Sequence, residues 1–290
     1  MCLRLLTLTQ GQPRSLVGMT TKSSALGTPG ATRHFTLHHD GVTIPVSRGG
    51  RGRPLVLCPG LNTTQADLRE LTDLLRLDHD VVTFDLRGHG LAPDADRYSF
   101  DVFLSDLVSV FAGLDLPSAP LLMGYSLGAD LAVHFAAEHP DAVSGLVGVD
   151  GANPLPEPFI TEADLATFRA MADDLAQRHA VARAEDIARQ VRLTAQDIHG
   201  LNLEIDVIRS AILDRYRRID HPIRMIMSTT IAGPGTEGRA PRHNRLWRAG
   251  AERLVRERPH ISATWLDGDH RLPFTHAREI ADLVRGGPDD

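Results

Sequence analysis

The run Gly124-Tyr125-Ser126-Leu127-Gly128 constrains this chain more than any other feature, because it joins the apolar stretch Pro120-Leu121-Leu122-Met123 to an apolar helical pattern. A serine with glycines two residues to either side suits a tight strand-to-helix turn. The backbone at the serine is strained there, and neighbours without side chains let the two segments pass closely. Such a turn lifts the hydroxyl above the edge of a sheet, at the N-terminus of the helix. The Leu127 N–H and the positive helix end then face any carbonyl oxygen that the serine attacks. A glycine-rich turn alone would not carry this reading; the flanking strand and helix do. Ser126 is therefore the candidate nucleophile of a chain built from strand–helix units.

The rest of the pattern agrees. Phe35, Leu37 and His39 alternate with polar residues, Asp40-Gly41 makes a turn, and Val42, Ile44 and Val46 alternate again, which predicts a β-hairpin. Short, continuously apolar runs at 54–58, 120–123 and 143–149 read as buried parallel strands, joined by strands at 81–84, 223–227 and 261–266. Helical patterns lie between them at 66–77, 100–112, 127–138 and 243–258, with a last one at 277–283. This predicts a mostly parallel eight-stranded sheet covered by helices on both faces. The rhythm breaks over 151–222, which carries no good strand. Leu165, Phe168, Ala172 and Leu175 share one helical face there, and Ile208, Ile212 and Tyr216 another. The expected organisation is a core of 33–150 and 223–290, with 151–222 a helical cap inserted after the sixth strand. Residues 1–32, rich in Thr, Gly, Ser, Pro and Gln, read as a disordered extension, and Met19 is an equally plausible start.

The 290 residues, 42% hydrophobic and 23% charged, suit a globular protein. A net charge of −6 argues against a nucleic-acid or anionic-membrane partner. No stretch approaches the roughly 18 apolar residues that span a bilayer. Lys22 is the only lysine among 31 basic residues, a skew expected of a high-GC bacterial genome. Cys2 and Cys58 are the only cysteines, one in the expected tail and one in an apolar strand, so no disulfide and a cytoplasmic location are expected.

Four sites in order make the chain resemble the cap-bearing branch of the α/β-hydrolase family, over roughly 33–285. Besides the serine turn, Cys58-Pro59-Gly60-Leu61 is similar to that family's His-Gly-x loop, with proline in place of histidine. Asp85-Leu86-Arg87-Gly88-His89-Gly90 is similar to its structural Asp-x-Arg-Gly-x-Gly turn, and Gly268-Asp269-His270 stands where it places a base. The resemblance implies oxyanion donors in the N–H groups of Leu61 and Leu127, His89 as scaffold, and His270 as the base among fourteen histidines. Most members carry the acid after the strand that follows the cap. Here that strand runs into Ser228-Thr229-Thr230, and the first carboxylate beyond is Glu237. Some members carry the acid one strand earlier, where Asp150 ends an apolar strand. Asp150, Glu237, and a histidine supported by water alone all stay open.

The expected chemistry is acyl transfer on an ester, lactone or thioester of a small to medium apolar molecule, with no cofactor. The histidines lack ligand spacing, so no metal is expected, and there is no Walker-type glycine loop. Asn62, Tyr125, Leu155, Phe159 and Phe168 are the candidate pocket residues, with Ile160 and Met171 as further cap candidates. For the apolar ones, gluing the cap to the sheet is an equal alternative. The same fold hosts cofactor-free oxygenases, perhydrolases and C–C hydrolases, and a ligand-binding protein on a retained site is a further alternative. Oligomeric state is not legible.

Overall fold

The computed structural model describes residues 31–39, 41–182 and 185–286. Residues 1–30 of the expected extension, Cys2, and Asp40 of the expected hairpin turn lie outside the described residues. Strands β1 (Arg33–His39) and β2 (Val42–Gly50) form the antiparallel hairpin that the alternation predicts. The other strands are β3 (Arg53–Cys58), β4 (His79–Phe84), β5 (Leu121–Tyr125), β6 (Gly145–Val149), β7 (Ile223–Ser228) and β8 (Ile261–Leu266). They make one eight-stranded sheet in the order β1-β2-β4-β3-β5-β6-β7-β8. Every pairing from β4 to β8 is parallel, and only β2 runs against its neighbours.

Side chains alternate between two cores. Val56 and Cys58 of β3, Leu122 of β5, Leu146 of β6 and Met225 of β7 enter one; Leu55, Leu57, Met123, Val147 and Ile226 enter the other. The first core is covered by α2 (Phe100–Gly113), α3 (Leu127–Glu138) and α6 (Ala240–Glu257), and the second by α1 (Arg69–Leu75) and α8 (Ala277–Arg285). Burial on both faces explains why the central strands read as unbroken apolar runs. Cys58 is a free, buried thiol, and burial pushes its pKa well above the ordinary thiol range.

Helix α1 is shorter than the 66–77 pattern. Thr64 and Asp67 bond reciprocally, the Thr64 N–H to Asp67 Oδ2 at 2.9 Å and the Asp67 N–H to Thr64 Oγ1 at 3.2 Å, which holds the preceding residues in a turn. Among its described residues, the segment 151–222 forms no strand of the sheet. It carries α4 (Leu165–Ala182) and α5 (Ala195–Tyr216), each preceded by short 3₁₀ turns. The segment docks on the turn after β4: the Gly90 N–H donates to the Gln190 carbonyl at 2.7 Å, and the Arg192 N–H to the Gly88 carbonyl at 2.8 Å. Thr194 caps α5, and its capping box with Asp197 fixes where that helix starts. The C-terminal half of α5 is part of the first core, through Ile205, Ile212, Leu213 and Tyr216.

Among the described residues, no helix is long and apolar enough to cross a membrane.

Candidate active site

Strand β5 ends at Tyr125 and helix α3 begins at Leu127, leaving Ser126 to make the turn with φ 52° and ψ −121°. The crowding that the glycines relieve is severe. A Cβ on Gly124 would sit 2.2 Å from the Gly128 carbonyl oxygen, and one on Gly128 would sit 2.3 Å from the Cys58 carbonyl oxygen. Sheet hydrogen bonding continues past the strand ends: the Ser126 N–H donates to Val149 at 2.9 Å, and the Asp150 N–H to Ile226 at 2.9 Å. Four non-glycine residues among those described have positive φ, namely Asn62, Ser126, Asp150 and Ala152. All four lie at the carboxyl edge of β3, β5 and β6, so the backbone strain is concentrated at one place.

Three of the candidates meet there. The Ser126 hydroxyl donates to His270 Nε2 at 2.9 Å, and His270 Nδ1–H donates to Asp150 Oδ2 at 3.0 Å. With Nε2 accepting, the ring proton must lie on Nδ1. The Asp150 side chain is fully buried, while that of His270 is 39% exposed toward the cavity. Tyr125 helps place His270 by donating its hydroxyl to the His270 carbonyl at 2.7 Å, its ring 5.3 Å from the imidazole. Glu237 stands apart: it is exposed in the loop between β7 and α6, and both ring nitrogens of His270 are already taken.

Two residues that the sequence reading did not single out hold Asp150. Ser228, the last residue of β7, donates its N–H at 2.9 Å and its hydroxyl at 2.8–2.9 Å, and Trp247 of α6 donates its indole N–H at 2.9 Å. With His270 these make four donors around one buried carboxylate, which offsets the cost of removing it from water. A serine at the end of β7, where the resemblance leads one to expect a carboxylate, was a readable sign of Ser228. Nothing local in the sequence marks Trp247.

The Gly60–Thr63 loop passes beside the serine turn, so close that a Cβ on Gly60 would lie 3.1 Å from Ser126 Cβ. The Asn62 N–H donates to His89 Nε2 at 3.3 Å, and His89 Nδ1–H donates to the Arg87 carbonyl at 2.9 Å. His89 is fully buried and serves this loop. Asp85 accepts from Gln65 and Leu91, and burial raises its pKa to about 6 against those bonds. These contacts make 85–90 a structural turn.

A cavity of about 600 Å³ opens over Ser126 and His270. Leu61, Asn62, Tyr125 and Phe168 line it, with Met171, Leu175, Ile198 and Phe274 adding apolar wall. Its lining also carries Asp67, Asp174, Arg178, Arg189 and Arg271, so it is more polar than the apolar pocket expected. Leu155 and Phe159 do not line it, contrary to the expectation placed on them. Leu155 is buried in the first core. The Phe159 ring stacks on His243 at 4.1 Å, its N–H bonds Asp206, and its carbonyl accepts from Arg242 and His243. That backbone anchoring turns Phe159 toward α5 and α6. Ile160 is held the same way by Asp206. Among the described residues, no three His, Cys, Asp or Glu side chains are grouped as a metal site requires.

A strained serine on a strand-to-helix turn, at the carboxyl edge of a sheet of this order, defines a class. The chain belongs to the α/β-hydrolase fold family, whose model matches residues 53–245. It is 35% identical over 105 residues to N-formylmaleamate deformylase of Pseudomonas putida, covering 35% of this chain and 38% of that protein. It is 29% identical over 110 residues to 2-(acetamidomethylene)succinate hydrolase of Mesorhizobium japonicum, covering 38% and 39%. The chain thus spans less than half the length of these curated relatives. The solved structure of an E-2-(acetamidomethylene)succinate hydrolase superposes with a TM-score of 0.66 at 18% identity, over 90% of this chain and 100% of that one. A thioesterase domain from the curacin biosynthetic pathway gives 0.64 at 19%, over 89% and 100%. At those identities the two structures share the fold.

Proposed function

We propose that this protein is a serine hydrolase that cleaves the ester, lactone or thioester of a small to medium, largely apolar acyl group through an acyl-enzyme on Ser126. The observation that carries the reading is the hydrogen-bond series from Ser126 Oγ through His270 to Asp150. A serine hydroxyl is a weak nucleophile at neutral pH, and an adjacent base supplies its activation. His270 Nε2 takes the proton as Ser126 Oγ attacks the carbonyl carbon, and the Leu61 and Leu127 N–H groups receive the oxyanion. Asp150 holds the Nδ1–H tautomer and stabilises the imidazolium. His270 then gives the proton to the leaving group, and water, activated by the same nitrogen, releases the acid. The segment 151–222 acts as the cap, its α4 and the first half of α5 closing the cavity over Ser126.

A fluorophosphonate probe tests this. Wild type is expected to label stoichiometrically and to give a burst of nitrophenol from p-nitrophenyl butyrate, and Ser126→Ala to lose both. An unlabelled wild type sinks the proposal and favours the ligand-binding alternative, whereas turnover that requires oxygen favours an oxygenase.

A second reading is favoured by the relatives, whose names carry formyl and acetamido groups together with acids. Hydrolysis of a small amide that bears a carboxylate would suit the arginines in the cavity wall. Matched butyryl ester and butyryl amide substrates, each with and without a terminal carboxylate, distinguish the two readings by kcat/KM.

A further inference from the structure

Asp150 has two kinds of support. Ser228 belongs to β7, and its backbone N–H comes with the sheet. The Trp247 indole comes from helix α6, and the Trp247 side chain is wholly enclosed, at 1% exposure. Trp247 is itself held in two ways. Its carbonyl accepts from Asn153 Nδ2 at 2.6 Å, and the Arg209 guanidinium of α5 lies over its ring, 5.5 Å from the centroid. Arg209 is anchored in turn by Asp130 of α3, with Nε to Oδ1 at 2.9 Å and Nη2 to Oδ2 at 2.6 Å. Asp130 is fully buried and the Arg209 side chain only 14% exposed. A two-point fork between buried partners fixes the guanidinium plane. A cation over the face of an indole polarises the ring and strengthens its N–H as a donor. The series Asp130, Arg209, Trp247, Asp150, His270, Ser126 is therefore continuous and enclosed up to the base.

We propose that Trp247 and Arg209 are positioning residues for this site, resting on the hydrolase reading above. Trp247 sets the Asp150 carboxylate through its N–H, and Arg209, braced by Asp130, sets Trp247. Helix α5 also lines the cavity through Ile198 and Asn202. The helix that closes over the substrate thus carries the cation that orients the acid. The seating of α5 is in this way part of how Ser126 is activated.

The measurement is the second-order rate of Ser126 labelling by a fluorophosphonate, with kcat and KM for p-nitrophenyl butyrate alongside. Trp247→Phe keeps the packed ring and loses the N–H. It is expected to lower the labelling rate and kcat by roughly 10- to 100-fold, the scale of a hydrogen bond to a charged group, with KM within about twofold. In an Asp150→Asn background the same change is expected to alter labelling by less than about twofold, because the group it acts through is gone. The double variant Asp130→Asn/Arg209→Gln leaves no buried charge unpaired. It is expected to slow labelling several-fold in the native background and to add little to Trp247→Phe. Wild-type labelling by Trp247→Phe overturns the inference, as does a loss that persists in full in the Asp150→Asn background, the signature of a merely structural tryptophan. If Trp247→Phe does not fold, the double variant decides alone: unchanged labelling overturns the inference. Failure of wild type to label at all would instead sink the hydrolase reading.

Discussion

At Asp150 and Glu237, two carboxylates that the sequence left in competition meet different surroundings. Asp150 is enclosed by four donors and touches His270; Glu237 points to solvent. Asp150→Asn is expected to lower kcat by as much as about 10⁴-fold, the scale of a triad acid replaced by its amide. Glu237→Gln is expected to stay within about twofold. Comparable losses from both, or a loss only from Glu237→Gln, would reverse the assignment. The glycines beside Ser126 make a prediction about stability rather than rate. Gly128→Ala places a methyl against backbone that cannot swing away, so it is expected to cost about 1–3 kcal/mol or more and to lower the urea midpoint. Ser126 and His270 were readable because each sits in a short local pattern. Ser228 was signalled only by the missing carboxylate at the end of β7, and Trp247 not at all, since they lie 78 and 97 residues from the carboxylate they hold.

Helix α6 does two jobs at the element scale. One face carries Trp247 to Asp150; its first turn carries His243, which pins the 158–164 segment by donating Nε2–H to the Phe159 carbonyl at 2.8 Å. His243 is fully buried, and burial holds its pKa below the ordinary histidine range, with the Phe159 bond and Asp164 opposing and Arg239 and Arg242 assisting. A histidine depressed in the fold favours the neutral form there. It contributes stability above its unfolded value of about 6.5, and that contribution is lost as pH falls below it. His243→Gln keeps a neutral donor in place. Its thermal midpoint is therefore expected to fall less than that of wild type between pH 7 and pH 5, by roughly 2–4 °C for each kcal/mol involved. An identical decline in both proteins would show that the titration of His243 contributes nothing. The helical pattern of α6 was legible, but its start at Ala240 rather than His243 was not, because Pro241 in the first turn suits a helix N-terminus without announcing one.

The whole molecule places one mixed cavity between the sheet edge and the helices of 151–222. Phe168, Met171, Leu175 and Ile198 offer apolar contact above Ser126, within about 600 Å³. Along a p-nitrophenyl ester series, kcat/KM is expected to rise from acetate toward medium chains by at most about fourfold per methylene, the value of burying one CH₂, and then to fall when the cavity is full. Phe168→Ala is expected to move the optimum to longer chains. A profile flat in chain length would remove the apolar wall from recognition. The arginines in the same wall are the reason to run the carboxylated series beside it.

The chain by itself determined the eight strands, the helices that cover them, and Ser126 and His270 as candidate site residues. Each depends on periodicity or on a turn that only certain neighbouring residues permit. What the tertiary structure alone decided is the partner circuit: that Asp150 faces His270, that Ser228 takes the place of an acid at the end of β7, and that Phe159 faces α6 while Phe168 faces the cavity. The reason is distance along the chain. Parallel sheet register and helix docking bring together residues that are dozens of positions apart, and a buried charge finds its donors through that packing, which no local pattern encodes.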